Sequence, residues 1–196
     1  TLLLLHMDGA NDGTSFPDNS SHTITANGDV TQTRAQKKVG DSSIVFDGTG
    51  DYLTIPDSTD WDFGSGDFTV ECWIRTDQNT SEMAFIDDLG TNIGWRFDWQ
   101  TDPLLRFAFR DTGAGWNSIE ETWTPTTNTW YHLAAVRDGD DFELFVDGTS
   151  LGSTTNTDTI ANSDTSLYIG AHTGATNPLD GYMDEIRLSN TARYTS

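Results

Sequence analysis

Residues 130–148, WYHLAAVRDGDDFELFVDG, restrict the fold of this chain more than any other segment. In the first arm Trp130, His132, Ala134 and Val136 alternate with Tyr131, Leu133, Ala135 and Arg137; in the second, Phe142, Leu144 and Val146 alternate with Glu143, Phe145 and Asp147. A period of two is the signature of a strand, whose successive side chains point to opposite faces. Asp138-Gly139-Asp140-Asp141 between the arms is turn chemistry, because Gly takes positive φ freely and Asp bonds back to its own backbone. Each arm has an apolar side that needs covering, so the hairpin is expected inside a two-layer sandwich.

The same alternation recurs along the chain. Strands are expected at 2–6, 43–46, 52–55, 68–75, 83–87, 94–99, 104–109, 130–137, 142–146, 166–169 and 182–189, within a total of about twelve to fourteen. Residues 8–23, 32–41, 111–129 and 149–164 are rich in Gly, Ser, Thr, Asn and Asp and are expected as long loops, the usual place for binding sites on a rigid scaffold. Within 196 residues no Pro-rich, Ser-rich or charged linker divides the chain, so one domain over 1–196 is expected. Only 35% of residues are hydrophobic, but ten Phe, seven Trp and five Tyr concentrate apolar area enough for one core.

Charge narrows the partners. A formal charge of −21 with ten Lys and Arg argues against nucleic acid, whose phosphates require clustered positive charge, and against anionic membrane surfaces. Of the 31 acidic residues six are Glu and 25 are Asp, and Asp favours turns and Ca²⁺ ligation. Cys72 is the single cysteine, so no disulfide forms within the chain; in Phe68-Val70-Cys72-Ile74 it falls on the apolar side of a strand as an inert buried thiol. The opening Thr1-Leu2-Leu3-Leu4-Leu5 is too short for a signal h-region and is expected as the first strand, and the start at Thr suggests a processed or excised portion of something longer. No membrane insertion is expected.

Four segments carry a family resemblance. The hairpin is similar to the "W-x-H-x-A … VDG" hairpin of laminin-G-like, concanavalin A-like jelly-roll domains. Ser43-Ile44-Val45-Phe46-Asp47-Gly48-Thr49-Gly50-Asp51-Tyr52-Leu53 resembles their "FDG … DYL" strand pair, Asp67-Phe68-Thr69-Val70-Glu71-Cys72-Trp73-Ile74-Arg75 their "F-T-x-E-x-W" strand, and Gly181-Tyr182-Met183-Asp184-Glu185-Ile186-Arg187 their closing strand. The resemblance implies an all-β antiparallel sandwich with its first and last strands paired. It also implies a structural Ca²⁺ near that junction, where Asp8, Asp18 and Asp184 offer the hard oxygen ligands such an ion takes. The alternative is that Asp8 and Asp18 hold turns and Asp184 accepts backbone hydrogen bonds. The wording of 2–75 is similar to laminin-G-like modules of bacteriophage tail-fibre and virion proteins, which implies host-surface glycan recognition or attachment to a particle.

A sugar site is sought where polar and aromatic groups are left over from the core. In Trp95-Arg96-Phe97-Asp98-Trp99 the aromatics share one side and Arg96 and Asp98 the other, and Arg106 and Arg110 stand opposite Phe107 and Phe109 in the same way. The Arg96, Asp98, Arg106 and Arg110 side is expected to be solvated and suits sugar hydroxyls. Trp116, followed by Asn117, lies in an expected loop, where an exposed ring offers CH contacts to a pyranose. Trp123 is expected to fold back over the core and Trp61 to be a buried anchor.

Catalysis finds no motif. Retaining glucanases need two carboxylates about 5 Å apart on one face, and no E-x-D-x-x-E strand occurs. His6, His22, His132 and His172 show no metal spacing, and no nucleophile elbow or phosphate loop appears. Three classes follow: a non-catalytic glycan-binding module of an extracellular or virion protein that meets cell-surface polysaccharide, a structural or decoration protein that packs against itself or against virion proteins, and a glycanase with unconventional carboxylates.

Overall fold

The structure, a computed structural model, describes residues 1–91 and 93–195. Two antiparallel sheets face each other. One joins β13 (Thr149–Thr155), β12 (Asp141–Val146), β11 (Trp130–Asp138), β6 (Phe68–Thr76), β15 (Asp180–Ser189), β4 (Ser43–Asp47) and β3 (Thr31–Thr33) in that order, with β1 (Leu3–Leu5) also paired to β15. The other runs β10 (Trp116–Thr122), β9 (Leu104–Arg110), β8 (Trp95–Gln100), β7 (Met83–Asp87), β14 (Leu167–Ile169), β5 (Tyr52–Ile55) and β2 (Thr25–Asn27). A 3₁₀ turn at Thr59–Trp61, N-capped by Ser58, is the one helical element among the described residues. None is long and apolar enough to cross a membrane.

The alternation read from the sequence sets the inner faces. Phe68, Val70, Cys72 and Ile74 of β6 and Leu133 and Ala135 of β11 face Trp95, Phe97 and Trp99 of β8 and Leu105, Phe107 and Phe109 of β9, all buried. Their rings interlock, with Phe109 and Phe142 stacked at 5.3 Å and Trp95 and Phe107 at 5.7 Å. Trp61 is fully buried, and Trp123 folds back onto the core, its carbonyl accepting the Trp99 Nε1–H at 2.8 Å. The chain ends meet as expected, Leu3 opposite Leu188.

Two expected loops prove to contain strands. Residues 116–122 pair with β9, and 149–155 pair with β12. Both are edge strands, and of the residues in β10 only Ile119 is buried, so neither shows an apolar alternation in its sequence. Segment 32–41 likewise begins inside β3.

The residues after β15 fold over the outer side of the hairpin. Ala192 and Tyr194 pack on Ala134, Val136 and Phe145. Glu71 anchors this tail: the Tyr194 hydroxyl donates to its Oε2, Arg193 Nε lies 2.7 Å from its Oε1 off the hydrogen-bonding line, and His132 Nε2 is 3.1 Å away. Burial works to raise the Glu71 pKa, but His132, Tyr194 and Arg193 outweigh it and hold the carboxyl below its usual value. A depressed carboxyl contributes stability above its unfolded pKa of 4.5 that is lost as pH falls through the lowered value. Glu71→Gln is therefore expected to lower unfolding free energy by about 1–3 kcal/mol at pH 7. In urea melts the gap to the wild type should close below pH 4.5; a gap that persists unchanged in acid contradicts this account.

Candidate functional site: the polar face of the seven-stranded sheet

Because Trp95, Phe97 and Trp99 point into the core, Arg96 and Asp98 point out of β8, beside Arg106 and Arg110 of β9 and Trp116 of β10. Register sets Asp98 opposite Arg106 and Arg110 opposite Trp116. The face is less solvated than its sequence implies. Asp98 is wholly buried, gripped by Arg106 through Nε–Oδ1 at 2.9 Å and Nη2–Oδ2 at 2.7 Å. His172, carried in by the turn after β14, adds Nε2 at 3.3 Å from Asp98 Oδ2 and bonds Asp87 through Nδ1 at 2.5 Å. Long guanidinium stems lie along the sheet and cover the short carboxylate between them.

These groups form a row of alternating charge, Asp87, His172, Asp98 and Arg106. Burial opposes the charges on Asp98 and His172, yet the partners prevail: Asp98 is held below the usual carboxylate pKa by His172 and Arg106, and His172 is held above its usual value by the two carboxylates. Asp98 is thus a clamp beneath the surface rather than a ligand for sugar. Asn117 is tied to its neighbours through both ends of its amide, Nδ2 donating to Asp111 Oδ2 at 3.1 Å and Oδ1 accepting from Asn156 at 3.0 Å, which leaves one N–H and one lone pair unused.

Arg96, Arg110 and Trp116 do come together. Trp116, 38% exposed on its edge strand, has the Arg110, Arg96 and Arg106 guanidinium carbons at 4.7, 4.9 and 5.8 Å from its ring centroid. Cation–π contacts fix the ring as a platform on the sheet. The Nε–H groups of Arg96 and Arg110 are buried and have no hydrogen-bond partner. An apolar ring with guanidinium groups beside it can hold a polyhydroxylated ring by stacking and hydrogen bonding.

The three acids expected near the strand junction all accept backbone amides. Asp18 accepts the Leu4 and His22 amides on its two oxygens, at 2.9 and 2.8 Å. Asp184 Oδ2 accepts Lys38 and Val39 N–H at 2.9 Å each, and Oδ1 accepts Glu185 N–H. Asp8 Oδ1 takes the Asp41 amide. Through these bonds Asp8, Asp18 and Asp184 hold loops, as the alternative reading had it, and Asp8 Oδ2 takes none of them. The one acidic group among the described residues with oxygens mutually in ligand range is Asp29, Asp47 and Asp51, and there Asp51 accepts the Asp29 and Asp47 amides.

A second surface went unread in the sequence. On the outer side of the other sheet, Trp73, Trp130, His132 and Tyr194 with Lys38 line an open groove of about 550 Å³, Lys38 Nζ standing 4.2 Å over the Trp73 ring. The signal was present as Trp130 and His132 alternating with the core residues of the hairpin, and as Trp73 between Cys72 and Ile74.

A laminin-G-type family model, described as the concanavalin A-like lectin/glucanases superfamily, matches residues 47–195. The chain belongs to the concanavalin A-like lectin/glucanase superfamily. None of the curated proteins compared with it matches. Among solved structures it is similar to the binding domain of Paraclostridial Mosquitocidal Protein 1, with a TM-score of 0.76 and 16% identity over 97% of this chain and 49% of that one. It is similar to domain 4 of AbnA, a GH43 extracellular arabinanase from Geobacillus stearothermophilus in complex with arabinotriose, with a TM-score of 0.69 and 21% identity over 97% and 93%. The binding domain of botulinum neurotoxin DC in complex with SialylT gives 0.71 and 11% over 97% and 48%. The chain spans about half the length of the toxin binding domains, and these likenesses carry the sandwich of this superfamily.

Proposed function

We propose that this superfamily member is a non-catalytic carbohydrate-binding module that holds a glycan against Trp116, with Arg96 and Arg110 as hydrogen-bond donors. The observation that carries the reading is the exposed Trp116 ring set among three guanidiniums. The arabinotriose and SialylT complexes of similar sandwiches support it. The non-catalytic part rests on Asp98, the carboxylate at the centre of the face, whose oxygens are committed to Arg106 and His172 and so serve neither as nucleophile nor as general acid. Cell-surface polysaccharide is the partner such a module meets, in an extracellular or particle-surface setting.

A glycan array probed with the wild type and with Trp116→Ala tests this. Binding to one glycan class, lost in the variant, is the expected result. Silence across the array together with ordered oligomers in size-exclusion chromatography overturns the reading in favour of a self-packing structural protein.

A further inference from the structure

The turn after β14 lays His172 on the polar face of the seven-stranded sheet, and its contacts ask for one protonation state. Nδ1 lies 2.5 Å from Asp87 Oδ2 and Nε2 lies 3.3 Å from Asp98 Oδ2, with the residue 6% exposed. An imidazole offers a hydrogen to both carboxylates only as the imidazolium, which carries two N–H groups. The turn is also tied down. His172 N–H donates to the Thr176 carbonyl at 2.8 Å, Ala175 N–H donates to the His172 carbonyl at 2.9 Å, and the Thr173 hydroxyl donates to Asp87 Oδ1 at 3.0 Å.

The same Nε2 stands 3.5 Å from Arg96 Nη1. Two donors at that distance repel, whereas a donor and an acceptor attract. Arg96 is held short of its acid: its Nε lies 3.9 Å from Asp98 Oδ2 without a hydrogen bond, while its guanidinium carbon rests 4.9 Å from the Trp116 ring centroid. Loss of a proton from His172 reverses the contact with Arg96. Asp98 keeps two bonds from Arg106 without His172, whereas Asp87 Oδ2 bonds His172 alone among the described residues, so the remaining proton stays on Nδ1 and Nε2 becomes an acceptor. Arg96 Nη1 is then drawn to Nε2 and its Nε towards Asp98, away from the ring. The charged groups facing the imidazole are Asp87 on β7 and Arg96 and Asp98 on β8, with Arg106 on β9 and Glu120 on β10 next in register. Glu82 is bonded by Asn177 further along the same turn. Burial alone would lower the His172 pKa, but Asp87 and Asp98 outweigh it and hold the ring above its ordinary 6.5, so the change comes as pH rises beyond that value.

We infer that His172 is a positioning residue for the glycan site: as the imidazolium it keeps Arg96 against Trp116, and on losing a proton it takes Arg96 as a donor and frees the ring. This role rests on the reading of Trp116, Arg96 and Arg110 as that site, and adds its regulation by pH.

Two titrations test it, each on the wild type and on His172→Asn, whose amide can still donate to Asp87 but does not titrate. The first uses the protein without glycan and follows the His172 ring, Arg96 Cζ and the Trp116 ring carbons by NMR from about pH 5.5 to about pH 9.5. The Arg96 and Trp116 signals should move with the His172 midpoint while the buried Trp99 ring stays still; in His172→Asn they should not respond. The second measures affinity for a glycan that the array identifies, at both ends of that range. The wild type should bind about three- to tenfold more weakly at the upper end, the worth of one hydrogen bond, and His172→Asn should bind alike at both. A merely structural His172 changes the melting temperature with pH but leaves the Arg96 and Trp116 signals of the folded protein in place; that result overturns the inference, as does a pH-dependent affinity that survives in His172→Asn. Should no glycan bind at any pH, the reading of the face as a glycan site fails, and the titration without glycan still decides whether His172 places Arg96. If His172→Asn does not fold, the wild-type titration decides, and Arg96 and Trp116 midpoints that differ from that of His172 overturn the role.

Discussion

Asp98→Ala is expected to lower the unfolding free energy by about 3–5 kcal/mol, the largest stability loss among the polar substitutions the fold suggests. The side chain is fully buried, takes two charge-assisted bonds from Arg106 and lies 3.3 Å from His172 Nε2. Removing it leaves Arg106, Arg96 and His172 facing one another with one negative partner gone, and none of the three can withdraw fully into solvent. With a urea slope of about 2 kcal/mol/M the midpoint should fall by about 1.5–2.5 M. Asp98→Leu combined with Arg106→Leu should recover much of that loss, since replacing a buried pair as a unit is often nearly neutral while breaking it is not. If Asp98→Ala unfolds within about 0.5 kcal/mol of the wild type, the clamp is not what holds the face together.

Trp116→Ala is expected to weaken glycan binding by about 2 kcal/mol, about thirtyfold in Kd, while moving stability by about 1 kcal/mol or less. The ring sits on an edge strand and is 38% exposed, so little of the core depends on it. The loss on binding exceeds the loss on folding because the ring presents its apolar surface to a ligand and its cation–π partners Arg96 and Arg110 persist without it. Trp73→Ala, in the groove on the other sheet, should leave affinity unchanged; measured by isothermal titration, the reverse ranking would move the site to that groove.

The sandwich was legible because its core is written in period two. Trp95, Phe97 and Trp99, or Val70, Cys72 and Ile74, declare a strand and an inward side without reference to anything else. What failed to show depends on distant coverage. Asp98 reads as a solvated residue on an outward face, and it is buried once the arginine stems and His172, arriving from a turn 74 residues later in the chain, close over it. The β7 stretch from Met83 to Asp87 is buried throughout, so its outer side offers no polar alternation to reveal that another layer lies on it. Strand β10 buries one residue and therefore reads as loop, although that pairing is what carries Trp116 over the arginines.

The acidic residues show the same limit in another form. In β15 the register shifts between Asp184 and Arg187, with Glu185 at a φ of 48°, and this bulge turns Asp184 inward to catch the Lys38 and Val39 amides. Sequence places an Asp in the last strand but says nothing of the bulge. Asp88 and Asp62 are likewise unremarkable in a chain with 25 Asp, and their unpartnered oxygens appear only in the folded chain.

Heteronuclear NMR titration with arabino- and sialyl-oligosaccharides, following backbone amides together with the Trp Nε1–H and Arg Nε–H signals, tests the central claim most directly. The account predicts that the perturbed resonances cluster on Trp116, Arg96 and Arg110. Perturbations confined to Trp73, Trp130 and Tyr194, or a spectrum that no glycan alters, would contradict it.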